Sequence, residues 1–319
     1  MVQGRQAQST ICNQVGMASF KSGFISILGR PNVGKSTLFN RFIGDKIAIV
    51  SERPQTTRNR ILGIKNVEEG QLIFLDTPGI HHGRSELNQR MVRTAIASGR
   101  DADVLLFLIE AINPHIEEDR EMIKSLKESR GVLFLVINKI DMVKRPTLLP
   151  LMDQYRNLYP FKEIIPISAI TGDGVAILLD EILKVLPESP PYYPEDMTTD
   201  QTERFWVSEI IREKVIGQSY QEIPYSTAVT IEEFKEHPEK NLVVIKGMIH
   251  VERDSQKKIV IGKGGQKLKK IGEAARKEIE AFLGTKVFLE LWVKVGKNWT
   301  QDPRALDRLG YLATLNHSH

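Results

Sequence analysis

Short apolar runs alternate with polar segments of helical length through the first part of the chain. The runs are apolar on both faces, which is typical of strands in a parallel sheet that helices cover on both sides. They lie at residues 24–28, 72–75, 104–109, 132–137 and 164–167. The helical candidates between them lie at residues 36–43, 86–98, 117–129, 148–159 and 175–186. This alternation predicts a doubly wound α/β domain.

A proline-rich segment ends the alternation. Residues 187–194 contain four prolines. Because proline can continue neither a helix nor a central strand, the segment is predicted to be a semi-rigid linker. The pattern beyond it predicts a helix, two strands, two helices around a glycine-rich turn and a final strand. These elements lie at residues 201–216, 226–234, 242–251, 254–261, 266–283 and 286–295. We therefore expect a second, different α+β fold.

The length of 319 residues agrees with two domains. We expect an N-terminal extension, a first domain, a linker, a second domain and a C-terminal tail. Their predicted bounds are 1–20, 21–187, 188–200, 201–300 and 301–319. The extension is expected to be disordered, and Met17 is an alternative start.

Composition excludes several classes of protein. The single cysteine, Cys12, excludes an intrachain disulfide and a cysteine-based zinc site, and it favours a reducing compartment. Neither a transmembrane helix nor a signal peptide is predicted, because the apolar runs are strand-sized and residues 6–20 lack an apolar core. The net charge of +4 is informative only if the basic residues are concentrated in one place.

A phosphate-binding motif follows the first predicted strand. Residues 29–36 fit G-x-x-x-x-G-K-[ST] between a strand and a helix, the context that the motif requires. Backbone N–H groups of such a loop surround phosphates, the lysine neutralises the β and γ oxygens, and the serine hydroxyl binds Mg²⁺. The nucleotide-binding candidates here are Gly29, Arg30, Pro31, Asn32, Val33, Gly34, Lys35, Ser36 and Thr37.

A second motif indicates that the base is guanine. Asn138, Lys139 and Asp141 form N-K-x-D at the end of a predicted strand, where open α/β sheets bind ligands. The Asp141 carboxylate can accept from both guanine N1–H and N2–H₂, a pair that adenine lacks. Asn138 and Lys139 would tie this loop to the phosphate loop and cover the base. After the next strand, Ser168 and Ala169 could offer a backbone N–H to guanine O6.

A third motif supplies the switch residues. It consists of Asp76, Thr77, Pro78 and Gly79, at a strand end. Asp76 would join the Mg²⁺ shell, and the Gly79 N–H would meet the γ-phosphate. A threonine should complete that shell. Thr57 is favoured and Thr56 is kept open.

The residue that would position the attacking water differs from that of Ras-type proteins. Ile80 stands where Ras-type proteins carry a water-positioning glutamine, and it cannot orient a water. Either hydrolysis is slow or another group assists, and Asn32 could assist by coordinating a monovalent cation such as K⁺ beside the phosphates. The predicted catalytic set is therefore Lys35, Thr57, Gly79 and Asn32.

The basic charge is concentrated in the second domain. Residues 246–277 contain ten Lys or Arg and three acids, a net charge of +7. At their centre, residues 262–265 fit the GXXG loop with which KH domains hold about four nucleotides of a single strand. With the order α-β-β-α-α-β, this predicts a type II KH domain. The RNA-binding candidates are Ile261, Gly262, Lys263, Gly264, Gly265, Lys267, Lys269 and Lys270.

Together these motifs resemble the bacterial Era family, over residues 24–295. The most specific stretches are residues 29–40, 55–58, 76–80, 138–141, 192–194 and 259–265. The resemblance implies a GTPase that uses GTP, GDP and Mg²⁺ and whose KH domain binds the 3′ end of small-subunit (16S) ribosomal RNA. It implies a role in maturation of the 30S subunit, with a link to cell growth and division. It also implies a cytoplasmic protein with peripheral association with the inner membrane. We expect a monomer and no DNA partner.

Three alternatives differ in class. A constitutive RNA-binding module would use the nucleotide domain only as a scaffold, and its GTP turnover would not exceed background. A P-loop kinase or ATPase is disfavoured by residues 138–141. A tandem-G-domain GTPase is excluded by the single phosphate loop.

Overall fold

The computed structural model describes residues 20–50, 56–79, 85–126, 129–219 and 226–311. Strands and helices alternate in the first part of the chain. They are β1 (Lys21–Gly29), α1 (Lys35–Ile43), β2 (Ile61–Val67), β3 (Gly70–Asp76), α2 (Glu86–Arg100), β4 (Val104–Glu110), α3 (Ile116–Ser125), β5 (Val132–Asn138), α4 (Leu148–Arg156), β6 (Ile164–Pro166) and α5 (Val175–Val185). The second part contains α6 (Glu203–Gly217), β7 (Ala228–His237), β8 (Leu242–Val251), α7 (Asp254–Ile261), α8 (Gln266–Leu283), β9 (Lys286–Val295) and α9 (Pro303–Arg308).

The first sheet has the strand order β2-β3-β1-β4-β5-β6. All its pairings are parallel except that of β2 with β3. Strand β2 is absent from the sequence prediction because Gly63, Lys65 and Asn66 interrupt its apolar pattern. The predicted doubly wound α/β class is confirmed, with an antiparallel edge strand added to it.

Helices cover both faces of this sheet. Leu38 and Phe42 of α1 and Ile182 of α5 pack with Phe74 on one face. On the other face, α2, α3 and α4 contribute Ala95, Ile123 and Tyr155 to a second buried cluster. Both clusters contain strand residues that sequence analysis places in apolar runs. The helices therefore fix the strand ends that carry the motifs.

The proline-rich segment packs against the first sheet. The buried Gln71 side chain accepts from the N–H groups of Tyr192 and Tyr193, at 2.8 and 3.0 Å. It also donates to the Tyr193 carbonyl oxygen across 2.9 Å. Tyr193 and Met197 then cover apolar side chains of β2 and β3. The linker bounds stay a prediction, and the segment they enclose is held along its length.

The second sheet has the order β7-β8-β9. Strands β7 and β8 are antiparallel, whereas β8 and β9 are parallel. Burial alternates along the whole of β8, so one face of the sheet packs against α6, α7 and α8. This is the predicted order of helices and strands, and the bounds of α7, α8 and β9 are those predicted.

The predicted C-terminal tail contains ordered structure. Helix α9 follows a short 3₁₀ helix, Trp299–Gln301, and packs with Trp299 and Tyr311 against Leu87 and Met91 of α2. Arg90 of α2 donates to the Tyr311 carbonyl oxygen across 2.6 Å. In the described part of the chain, none of the helices is long and apolar enough to cross a membrane. The extension at 1–19 and the last eight residues lie outside the described residues.

Candidate functional site

The phosphate loop lies between β1 and α1. Asn32 and Gly34 have left-handed φ values of 64° and 101°, and Gly34 is the N-cap of α1. A Cβ on Gly34 would lie 2.2 Å from Asn138 Nδ2, so this position requires glycine. The N-terminal backbone N–H groups of α1 therefore adjoin the loop, as phosphate binding requires. Thr37 lies in the first turn of α1, and Val33 is buried in the core.

The Lys35 ammonium lies inside the loop. Its Nζ donates to the carbonyl oxygens of Gly29 and Arg30, at 3.1 and 2.8 Å. Burial lowers the pKa of Lys35 to about 8, although the nearby Asp76 carboxylate acts in the opposite direction. This cation has little access to water, so a phosphate group that reached it would interact strongly.

Three oxygen ligands meet beside the loop. Ser36 Oγ lies 2.8 Å from Asp76 Oδ2 and 2.9 Å from Thr57 Oγ1. Thr57 Oγ1 lies 3.1 Å from the same Asp76 oxygen. The other oxygen, Asp76 Oδ1, is buried and has no hydrogen-bond partner among the described residues. The hydroxyl of Thr57, and not that of Thr56, therefore belongs to this cluster.

The surroundings of Asp76 change the pKa of its carboxyl. Burial raises the pKa of its carboxyl to about 6, against the opposing effects of Lys35 and the two hydroxyls. A hard divalent cation prefers a set of carboxylate and hydroxyl oxygens such as this one. The cluster therefore fits Mg²⁺.

The remaining switch residues surround the phosphate loop. A Cβ on Gly79 would lie 2.8 Å from the backbone nitrogen of Pro31, so the glycine allows a close approach of the two loops. The Thr77 hydroxyl donates to the Ile27 carbonyl oxygen across 2.7 Å and holds the segment on β1, and Pro78 is buried beside it. Ile80 lies outside the described residues.

The base-reading loops meet at Asn138. Its Nδ2 donates to the Val33 carbonyl oxygen across 2.8 Å, and its Oδ1 accepts from the Ala169 N–H across 2.9 Å. One buried side chain thus joins the phosphate loop to the loop after β6. The carboxylate-bearing Asp141 is exposed on a short 3₁₀ helix next to it, as access to a base requires.

The remaining residues of these loops show one difference from expectation. The Ser168 N–H donates to the Asp173 carbonyl oxygen, and the Ala169 N–H is used by Asn138. If the Ala169 N–H donates to guanine O6, it must therefore share its hydrogen between the base and Asn138 Oδ1. The Lys139 ammonium pairs with Glu110, which fixes its position at the end of β5.

Sequence analysis missed the side chains that hold the segment around Thr57. The guanidinium of Arg212, on α6, donates to the Thr56 carbonyl oxygen and pairs with Glu209. Arg58 donates to the Thr227 carbonyl oxygen across 2.7 Å. Both arginines are buried. The stretch 55–58 contained the only sequence signal for these contacts, since Arg212 lies in a part of α6 without a motif.

The GXXG loop connects α7 to α8. Gly262, Gly264 and Gly265 have φ values of 72°, 59° and 77°. A Cβ on Gly262 would lie 2.6 Å from that of Lys267, so the turn is tight there. Lys263, Lys269 and Lys270 are exposed, and partial burial lowers the pKa of Lys267. The loop offers glycine backbone, lysine charge and the N-terminus of an 18-residue helix at one place.

A groove of about 440 Å³ adjoins this loop, between α8 and the edge strand β9. Its lining residues are Gly265, Leu268, Lys269, Gly272, Glu273, Arg276, Leu289 and Leu291. Apolar walls with charged side chains at the rim suit a nucleobase with its phosphate outside. Of these residues, only Gly265 and Lys269 were predicted. The spacing of Leu268, Gly272 and Arg276 along one helix face was the sequence signal that could have found the others on α8.

Comparisons with known proteins agree with this geometry. The family model described as 50S ribosome-binding GTPase matches residues 24–139, and the KH domain model matches residues 222–300. A GTPase Era from Syntrophus aciditrophicus is 56% identical over 92% of this chain and 95% of its own length. One from Geobacter metallireducens is 54% identical over 92% of this chain and 98% of its own length.

Solved structures give the same result. An Era variant from Aquifex aeolicus bound to GDP·AlF₄⁻ matches with a TM-score of 0.89 and 44% identity, over 92% of this chain and 99% of that one. An Era complex with MgGDPNP and nucleotides 1506–1542 of 16S ribosomal RNA matches with a TM-score of 0.88, 44% identity and the same coverage.

The fold and the site define a P-loop GTPase that carries a KH domain. Within this class, the chain belongs to the Era family of GTPases. It binds GTP and GDP and hydrolyses GTP, and the predicted enzyme class is confirmed.

Proposed function

We propose that this chain binds the 3′ end of 16S ribosomal RNA through its GXXG loop and the adjoining groove, and that it assists assembly of the 30S subunit. The observation that carries the proposal is the position of the groove beside Gly265 and Lys269. A single strand could there place phosphates on the glycine backbone and bases in the groove. The related Era that was solved with a 16S fragment supports the choice of RNA.

The nucleotide-site residues have proposed roles. Ser36, Thr57 and Asp76 would hold Mg²⁺, which neutralises charge on the β- and γ-phosphates when bound. Lys35 would bind the same oxygens, and the Gly79 N–H would meet the γ-phosphate. The related complex with MgGDPNP supports this assignment. Asn32, with its left-handed backbone in the phosphate loop, would add a K⁺ ligand.

Base recognition follows from the neighbouring loops. The exposed Asp141 would accept from guanine N1–H and N2–H₂, and Asn138 would hold its loop against the phosphate loop. An adenine base would leave the carboxylate without donors, which favours GTP over ATP.

GTP would control RNA binding through the residues around Thr57. Arg58 and Arg212 connect both neighbours of this threonine to the second domain. An arrangement in which Thr57 meets Mg²⁺ would therefore favour one seating of the KH domain. In the alternative, a constitutive KH module, these buried contacts would contribute to stability alone.

The proposed RNA site is tested by two matched glycine substitutions. Gly264 and Gly284 both have left-handed φ values, 59° and 65°, and among the described residues a Cβ at either position would have open space around it. Gly264→Asp adds a charge to the GXXG loop, whereas Gly284→Asp adds it at the far end of α8. We expect at least about tenfold weaker binding of a 16S 3′-end fragment for the first. Equal binding by both variants would contradict the proposal.

The remaining expectations stay predictions. They are a cytoplasmic location with peripheral association with the inner membrane, a link to cell growth and division, the monomeric state and the absence of a DNA partner.

A further inference from the structure

The phosphate-loop residue Arg30 is tied to a helix on the back of the site. Its Nε donates to Asp119 Oδ1 on α3 across 2.9 Å. Its Nη2 lies 3.4 Å from the Asn113 carbonyl oxygen, just before α3 begins. The Asp119 side chain is fully buried, and that of Arg30 is 11% exposed. This ion pair lies inside the protein and joins the phosphate loop to α3 and the segment before it.

A third side chain completes the group. Tyr155, on α4, donates its hydroxyl to Asp119 Oδ2 across 2.6 Å. Tyr155 is fully buried as well. Burial raises the pKa of the Asp119 carboxyl, although Tyr155 and Arg30 both stabilise its charged form. The phosphate loop, α3 and α4 are thus joined by one buried polar network.

Stability alone gives little reason for such a network. Replacing a buried ion pair by apolar residues of similar volume is often neutral or stabilising, because the attraction barely offsets the loss of hydration. Apolar side chains already pack α3 and α4 onto the sheet. What the network adds is a fixed position for the Arg30 guanidinium, which restrains the backbone that carries it.

The Arg30 backbone is itself part of the nucleotide site. The Arg30 carbonyl oxygen accepts from Lys35 Nζ across 2.8 Å. The segment that leads into α3 also contacts the base-reading loop. Its Ala111 N–H donates to the Asn138 carbonyl oxygen across 2.9 Å, and Glu110 pairs with Lys139. The network therefore adjoins both the lysine that neutralises phosphates and the loop that reads the base.

We propose that Asp119 and Tyr155 are positioning residues that act through Arg30 to hold the phosphate loop in its nucleotide-binding shape. Neither residue needs to touch the nucleotide. They help the protein to retain bound GDP and GTP. They leave the rate of hydrolysis at saturating GTP unchanged. The inference rests on the nucleotide site and is independent of RNA binding.

Two conservative variants test this. Asp119→Asn keeps the shape and removes the charge, and Tyr155→Phe removes one hydroxyl. Glu118→Gln, at an exposed position next to Asp119, and Tyr159→Phe, four residues beyond Tyr155, are the matched controls. Release of a fluorescent GDP would be followed by stopped flow, and kcat and KM for GTP would be measured separately.

We expect GDP release to accelerate about three- to tenfold in Tyr155→Phe, because this variant loses one hydrogen bond. In Asp119→Asn it should accelerate at least about tenfold, because this variant loses a charge-assisted hydrogen bond. KM should rise while kcat stays within about twofold. The ³¹P resonance of the β-phosphate of bound GDP should move in both variants and in neither control.

Unchanged release and an unchanged ³¹P resonance, together with a lower thermal midpoint, would overturn the proposal, because the network would then only hold helices together. If Asp119→Asn does not fold, Tyr155→Phe decides the question by the same measurements. Failure of the wild type to retain GDP would instead contradict the nucleotide site itself.

Discussion

Arg58 donates from Nη1 to the carbonyl oxygen of Thr227 across 2.7 Å, although 169 residues separate the two in sequence. The guanidinium carbon of Arg58 also lies 5.7 Å from the ring centroid of Tyr311 and 6.0 Å from that of Trp299. These contacts join the residue after Thr57 to the start of β7 and to the C-terminal segment. The cluster of Ser36, Thr57 and Asp76 is thus connected to the KH domain through the residue that directly follows Thr57.

Replacing Arg58 by methionine should destabilise the protein. Arg58→Met leaves the Thr227 carbonyl oxygen buried without this donor, which costs about 1–3 kcal/mol. Arg156→Met is the control, since Arg156 is exposed and its ion pair with the exposed Asp153 lies within one turn of the same helix. Urea unfolding should show a lower midpoint for the first variant. Equal midpoints would show that this buried contact contributes nothing.

Arg90 should be necessary for docking of the C-terminal segment on α2. It donates to Asp307 and to the Tyr311 carbonyl oxygen, at 2.5 and 2.6 Å. Arg93 shares its partner Glu86 but is half exposed. We expect Arg90→Ala, and not Arg93→Ala, to increase amide hydrogen exchange in residues 303–311, because only Arg90 satisfies acceptors there. Equal protection in the two variants would contradict the assignment.

Glycine at position 34 should be required for nucleotide binding. Gly34→Ala would place its Cβ 2.2 Å from Asn138 Nδ2 at a φ of 101°, so both the phosphate loop and the base loop must move. Gly44→Ala is the control, since Gly44 has a φ of 93° with open space around it among the described residues. We expect at least about a hundredfold loss of GDP affinity for the first variant only, from combined backbone strain and displacement. Calorimetric titration with GDP distinguishes the two.

The pKa of Asp76 gives a pH dependence in protein stripped of nucleotide and Mg²⁺. Its folded value of about 6 exceeds the ordinary value of 3.8, so the folded state binds the proton more tightly. The stabilisation that Asp76 gains from this proton is therefore complete at acid pH. Its contribution to the free energy of unfolding falls by about 2–3 kcal/mol as the pH rises from about 4 to about 6. Lys35, with a pKa of about 8, stays charged throughout this range.

The control for this dependence is Asp76→Asn, which cannot titrate. The difference in free energy of unfolding between wild type and variant should decline as the pH rises through this range. Parallel curves across it would show that the carboxyl ionises normally in the folded protein.

Local patterns predicted most of the fold. The bounds of α7, α8 and β9 could be predicted because helical periodicity, a glycine turn and a following apolar strand each mark their own ends. Strand β2 could not, since Gly63, Lys65 and Asn66 leave no apolar run. Its pairing with β3 is decided by the neighbouring strand and by the turn between them.

The candidate site was predictable where a motif fixes the chemistry. Ser36, Thr57 and Asp76 lie 19 to 40 residues apart in sequence. Their order along an α/β fold was enough to predict that they contact one another. The contacts of Arg212 with the Thr56 backbone and of Gln71 with the linker were not predictable. They join segments more than 100 residues apart, and only the packing of the whole chain decides them.

The central claim is that the nucleotide site and the KH domain act as one switch. Its most direct test is the affinity of the full chain for nucleotides 1506–1542 of 16S ribosomal RNA, the fragment in the related Era complex, with GDPNP and with GDP. In this structure the groove is accessible and Thr57 contacts Ser36 and Asp76, which is the arrangement that we expect with GTP. The GDPNP form should therefore bind the RNA at least about fivefold more tightly than the GDP form. Equal affinity in the two nucleotide states would contradict the account.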